Sequence, residues 1–259
     1  MSMDKLFAGG AVVGTMLRVV RNPAVVRIAA NAGLDFVMLD MEHGSYSFDA
    51  AADMFAAARA AGLGALVRVP ELARGAVSRA LDCGAHGVMV PMIETPDQAR
   101  ALAGWAKFAP VGSRGLGSAG GHTDFARAGD EFPAEANRRT LAIAQIETVK
   151  GVENAEEIAA EEGIDALLIG PNDLAMSLAH ACPRPAFSHE QAIERTARAA
   201  SAAGRIFGIH AGLPLIEKAL AFGARLLIHS LDVTLLEDGM RGVARAVRER
   251  AERAGSARA

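Results

Sequence analysis

The stretch LAIAQIETVKGVENAEEIAAEEGIDALLIGPNDL, residues 141–174, decides the fold. A short apolar run, Leu141–Ile146, ends in Glu147, and an acidic amphipathic segment follows. A second apolar run, Ala166–Ile169, breaks at Gly170-Pro171 just before Asp173. Short runs of this kind read as strands buried on both faces, as in a parallel sheet, and the segment between them as a crossover helix. Each carboxylate then lies at or just past the C-terminal end of its strand, one β-α repeat from the other. Parallel neighbours are about 4.8 Å apart, so the two acids can share one divalent cation. All-oxygen ligands suit Mg²⁺ or Mn²⁺, with Co²⁺ as a third candidate. Taken singly, Glu147 also reads as a helix cap and Asp173 as an N-cap after a turn.

Working outward, the same rhythm recurs. Strands are expected at 11–17, 36–40, 65–69 and 87–90 ahead of this stretch, and at 205–210 and 225–229 after it. The helices between them span 22–32, 47–61, 73–83, 95–106, 188–203 and 214–222, and a last helix covers about 234–254. The rhythm fails only from Phe108 to Asn137, where Gly, Ser, Arg and Asp dominate. That is a long loop with short helical pieces, and loops of this length usually serve as lids or binding loops. Eight alternations without a linker predict an α/β fold, a single (β/α)₈ (TIM) barrel, as one domain over 1–259. An open doubly wound sheet fits less well, because no Gly-x-Gly-x-x-Gly follows the first strand.

Composition narrows the function. The 259 residues are 51% hydrophobic and 22% charged, with a net charge of −3, which gives no electrostatic case for nucleic acid. Only Cys83 and Cys182 are present, too few for a disulfide framework or a cysteine zinc cluster. The N-terminus lacks the apolar core of a signal peptide, and no run reaches the roughly 18 residues that span a membrane. A cytoplasmic protein without a membrane partner is expected.

On a barrel, chemistry collects at the C-terminal strand ends. Strand two ends in Asp40, Glu42 and His43, strand three carries Arg68, strand five ends in Glu147 and strand six leads to Asp173. Arg68 alone could be a structural ion-pair partner, His43 a loop cap and Asp82 a solvated helix residue. Together they suggest a use, since unpartnered buried charges are costly. A 2-oxo acid such as pyruvate could chelate the cation, with the ion and Arg68 holding the enolate charge while His43 accepts the proton. The enolate could then attack an aldehyde, and the reverse reaction would cleave an aldol.

LDMEHG (39–44), VRVPE (67–71), LDCGAHGVMVPMIETPDQA (81–99), GSRGLG (112–117), QIETVKGVEN (145–154) and IGPNDL (169–174) resemble the metal-dependent class II pyruvate aldolases. That is the 4-hydroxy-2-oxoheptanedioate aldolase family, grouped with the citrate lyase β subunit, and the likeness covers nearly the whole chain. It implies reversible cleavage of 4-hydroxy-2-oxo acids to pyruvate, or a related 2-oxo acid, and an aldehyde. It implies Glu147 and Asp173 as metal ligands, Arg68 on the keto or enolate oxygen, and His43 as the base, paired with Asp82. Gln145 would lie close to metal and substrate, and Asp40 and Glu42 close to the catalytic water. Backbone amides around Gly170, Pro171 and Asn172 onward would receive the substrate carboxylate, although Pro171 has no N–H. A homo-oligomer, commonly a hexamer, with the C-terminal helix packed on a neighbour, is also implied.

Two departures from the family pattern are expected to bear on the aldehyde half: the run SAGGHTDFARAGDEF (118–132), and Ala175 where Ser is frequent. His122, Asp124 and Arg127 are candidate acceptor contacts, with an exposed ion cluster as the plainer reading. His210 and His229 read as rim-packing residues; His86, His180 and His189 as surface or capping residues. A CoA-thioester lyase of the citrate lyase or malyl-CoA type is the alternative function, and a Schiff-base aldolase another. Of the four lysines, Lys150 is the nearest candidate for the latter. An inert binding barrel is the non-enzymatic reading.

Overall fold

In the computed structural model, which describes residues 3–256, eight parallel strands close into a barrel in sequence order. The strands are β1 (Val12–Leu17), β2 (Phe36–Asp40), β3 (Gly64–Arg68), β4 (Gly87–Val90), β5 (Leu141–Ile146), β6 (Ala166–Ile169), β7 (Ile206–His210) and β8 (Leu226–Leu231). The helices are α1 (Asp4–Phe7), α2 (Ala24–Asn31), α3 (Phe48–Ala61), α4 (Arg74–Asp82), α5 (Pro96–Ala106), α6 (Phe132–Arg139), α7 (Val149–Glu153), α8 (Ala155–Ala160), α9 (Pro171–His180), α10 (His189–Ala202), α11 (Leu213–Ala221) and α12 (Asp232–Ser256). The expected strands match to within two residues at their ends. The amphipathic segment after Glu147 is two short helices rather than one, and Gly170-Pro171 does not merely end β6. Pro171 is the first residue of α9, where its missing N–H costs no hydrogen bond.

Alternation along the strands sorts the core into two layers. Val12, Met16, Phe36, Met38, Leu66, Met89, Ile143, Leu168 and Ile228 fill the bore, while Val37, Leu39, Val67, Val88 and Leu167 pack outward against the helices. Glycine makes the bore fit: a Cβ on Gly14 would stand 2.7 Å from the Phe36 ring, and one on Gly64 would stand 2.6 Å from the Met3 side chain. Met3 and Leu6, on and before α1, join the bore's core at the N-terminal end of the strands and close it from below. Continued two residues further, the inward positions become Arg18, Asp40, Arg68, Gln145 and Glu147, Gly170, His210 and Ser230. The period that packs the core therefore delivers polar groups to the upper rim.

Candidate active site

The rim is built on Asp40, which is fully buried. Strand register places Asp40 opposite Arg68. Arg68 donates through Nε to Oδ1 at 3.0 Å and through Nη2 to Oδ2 at 2.7 Å, and Arg18 Nε donates to Oδ2 at 2.8 Å. The amides of Glu42 and His43 complete the set at 3.1 and 3.2 Å, so the same carboxylate shapes the turn carrying the histidine. Burial alone would raise the Asp40 pKa, but the Arg68 bonds and charge, the His43 amide and Arg18 outweigh it and hold it below the usual carboxylate range. Arg68 Nη1 lies 2.9 Å from Glu42 Oε2, a charge contact without hydrogen-bond alignment. Burial raises the Glu42 carboxyl despite Arg68 and His43.

Glu147 lies across the bore and is 2% exposed. It accepts from the Met92 amide at 2.9 Å and from Gln145 Nε2. Burial, with the Asp173 and Glu42 carboxylates adding to it, pushes its pKa up to about 7 against the pull of the Met92 amide and Arg68. Gly170 faces this pair: a Cβ there would stand 2.3 Å from Glu147 Oε2 and 2.7 Å from Gln145 Nε2. Asp173 is in the first turn of α9, where the helix dipole favours its charge. Arg68, Gln145, Gly170, Pro171, Asn172, Asp173 and His43 share the wall of one cavity of about 730 Å³.

These groups fit a hard divalent cation. Gln145 Oε1 is buried without a hydrogen-bond partner, and the neighbouring carboxylates repel one another as long as no positive charge lies between them. Among the described residues no three His, Cys, Asp or Glu side chains form a ready-made cage. Two carboxylates with the remaining positions left to water and substrate suit Mg²⁺ or Mn²⁺ better than a structural metal.

The single chain keeps other expected residues apart from this site. Asp82 does not meet His43 within the chain. It ends α4, and helix C-termini in this topology lie at the N-terminal ends of the strands, on the opposite face. There Asp82 pairs with Arg114 at 2.6 Å, and the carboxylate beside the His43 ring is that of Glu42, 3.8 Å from Nε2. Residues 108–137 lie on that lower face too, because they join the end of α5 to the start of β5. His122, Asp124 and Arg127 line a separate cavity of about 720 Å³ there, with Asp124 paired to Arg59 at 2.8 Å. Of the two departures from the family pattern, only Ala175 faces the upper cavity. Lys150 is 58% exposed at its side chain and sits 3.5 Å from Glu94, not in the desolvated setting that makes an amine nucleophilic.

The sequence reading missed Arg18 and undervalued His189, His210 and His229, all of which line the upper cavity. Arg18 and His210 were accessible from alternation, being two residues past Met16 and Gly208. His229 was not, because it depends on an irregularity in β8: Gly14 pairs with Ile228 but Met16 with Leu231, so β8 carries an extra residue.

A family model described as HpcH/HpaI aldolase/citrate lyase matches residues 16–234. A hydroxypyruvate/pyruvate aldolase of Deinococcus radiodurans is 34% identical over 230 residues, 88% of this chain and 83% of that protein. A 2-keto-3-deoxy-L-rhamnonate aldolase of Klebsiella pneumoniae is 32% identical, covering 82% and 79%. The crystal structure of an HpcH/HpaI aldolase from Desulfitobacterium hafniense superposes with a TM-score of 0.87 at 36% identity, over 95% of this chain and 96% of that one.

Proposed function

The chain belongs to the HpcH/HpaI aldolase/citrate lyase family, and from that premise we propose a divalent-metal class II aldolase that reversibly cleaves 4-hydroxy-2-oxo acids to pyruvate, or a related 2-oxo acid, and an aldehyde. Membership makes it a carbon–carbon lyase. The observation that carries the finer reading is buried Arg68, fixed by Asp40, at the same end of one cavity as Asp173, with Glu147 and its partner Gln145 beside them.

The substrate carboxylate meets the start of α9, where the amides of Asn172 and Asp173 have no partner inside the helix and Pro171 contributes none. Arg68 stands where negative charge grows on the keto oxygen, held in place before the reaction begins. His43, backed by Glu42, takes the proton of the C4 hydroxyl as the C3–C4 bond breaks. The electron pair of that bond becomes the C2–C3 enolate, and returning a proton to C3 gives the oxo acid. A divalent cation held by Glu147 and Asp173, Mg²⁺ or Mn²⁺ with Co²⁺ third, would supply Lewis-acid polarisation of the keto group. Against a CoA thioester, the described lining of this cavity holds two guanidinium groups and no lysine, and Arg18 and Arg68 both donate to Asp40.

The domain is taken as 1–259, acting on small molecules in the cytoplasm; the free thiols Cys83 and Cys182 support that compartment. No described helix is long and apolar enough to cross a membrane. Apolar residues exposed along α12, among them Met240 and Val243, support a homo-oligomer, on the family pattern a hexamer. The deciding test is exchange of pyruvate methyl protons with D₂O. Exchange should vanish with EDTA and return with added Mg²⁺ or Mn²⁺. Indifference to EDTA together with inactivation by borohydride in the presence of pyruvate would replace this reading with a Schiff base.

A further inference from the structure

In that reaction the oxo-acid half of a substrate takes the part of the cavity near Arg68 and Asp173. The lining also includes His210, His229, Ser230 and Thr234, with apolar Ala175 and Leu215, beside Arg18 and His189. This part is built by a distortion. Regular alternation along β8 would turn His229 away from the side shared by Ile228 and Ser230. The extra residue opposite Gly14–Met16 breaks that alternation and places His229 and Ser230 on the cavity together. Ser230 adopts φ 65, a left-handed conformation that a serine adopts only against a cost, and its carbonyl is held by Thr15 Oγ1 at 3.2 Å.

The bulge presents hydrogen-bonding groups. His229 Nδ1 lies 2.9 Å from the Ala211 carbonyl, which can only accept, so Nδ1 carries a proton and Nε2 is the ring nitrogen left for a substrate. His210 is kept neutral by burial and by the positive charge of Arg68 and Arg18, its pKa lowered to about 4 although the Ser230 backbone opposes this. A neutral imidazole has one donor and one acceptor nitrogen, so His210 offers an acceptor to the cavity as well. The Ser230 and Thr234 hydroxyls add groups of either polarity. Among the described residues that line the cavity there is no lysine, and Arg18 gives its Nε to Asp40 at 2.8 Å.

Resting on the aldolase reading, we propose that His210, His229 and Ser230 are the acceptor subsite, and that it selects aldehydes bearing hydroxyl groups over both plain alkyl and anionic aldehydes. The imidazole nitrogens accept the substrate's O–H bonds, and an aldehyde lacking them leaves those nitrogens desolvated and unpaired.

The test compares kcat/KM for glyceraldehyde, propionaldehyde and succinic semialdehyde, with pyruvate as donor, in wild type and His229→Leu. A neighbouring hydroxyl alters the carbonyl's own reactivity, so the readout is the change in the glyceraldehyde-to-propionaldehyde ratio between the two proteins, where that effect cancels. The ratio should fall about tenfold or more in the variant, with wild type favouring glyceraldehyde over succinic semialdehyde. Ser230→Gly, which relieves the strained backbone while removing the hydroxyl, should lower the ratio as well and covers the case of a misfolded His229→Leu. A ratio unchanged within about twofold, or a wild-type preference for succinic semialdehyde, overturns the subsite while pyruvate proton exchange leaves the aldolase standing. Wild type that exchanges no pyruvate protons removes both.

Discussion

Asp40 accepts five hydrogen bonds, whereas Glu147, almost equally buried, accepts two and lies beside two other carboxylates. Asp40 is therefore a fixture that holds Arg68, and Glu147 is the acid left seeking positive charge. Folding moves the Glu147 pKa from an ordinary 4.5 to about 7. Below the lower value the group is protonated in both folded and unfolded chains and contributes no difference. Above the higher value it is ionised in both, and the folded chain carries the full penalty, on the order of 3 kcal/mol. Cation-free protein should therefore lose stability as pH rises between these limits, and Glu147→Gln should flatten the loss. Urea unfolding of both proteins at about pH 5 and about pH 8 checks this; equal pH dependence would mean that Glu147 is not the strained group. These two roles were only partly legible in the sequence. A carboxylate at a strand end announces itself, but its number of donors depends on which neighbours the register brings opposite, as Arg68 is brought to Asp40.

At the scale of elements, strand positions were legible because strands buried on both faces are written as uninterrupted apolar runs, as in Phe36–Asp40 and Leu141–Ile146. The helix α9 was not, because proline after glycine signals both a break and a first turn, and only packing decides between them. Nor was the side of the barrel on which residues 108–137 lie given due weight: a segment between a helix and the next strand belongs to the lower face however rich in function its residues look. One link between elements is carried by a single side chain. Asp232, 3% exposed at the start of α12, accepts from the amides of Arg18, Val19, Val20 and Val233 at 2.8–3.0 Å. It ties the end of β1 to the helix after β8 and so frames the bulge. Asp232→Ala strands those amides and should destabilise the protein by roughly 2–4 kcal/mol, read as a lowered urea midpoint, whereas Asp232→Asn, which keeps acceptor capacity, should lose less.

For the whole molecule, the closed barrel was expected from eight alternations of strand and helix, but its outer contacts were not, since apolar residues on a final helix look the same whether they face a core or a partner. Along α12, Met240 is 67% and Val243 66% exposed, next to Leu236 and Val247 on the same chain segment. A homo-oligomer that covers them predicts that Val243→Glu lowers the mass found by sedimentation equilibrium, whereas an unchanged mass would place the contact elsewhere. The stopper formed by Met3 and Leu6 has a different consequence. A bore plugged from below leaves the upper rim as the approach to the cavity, so the oxo acid and the aldehyde of the proposed reaction would share that entrance, and whatever covers the rim would gate both at once.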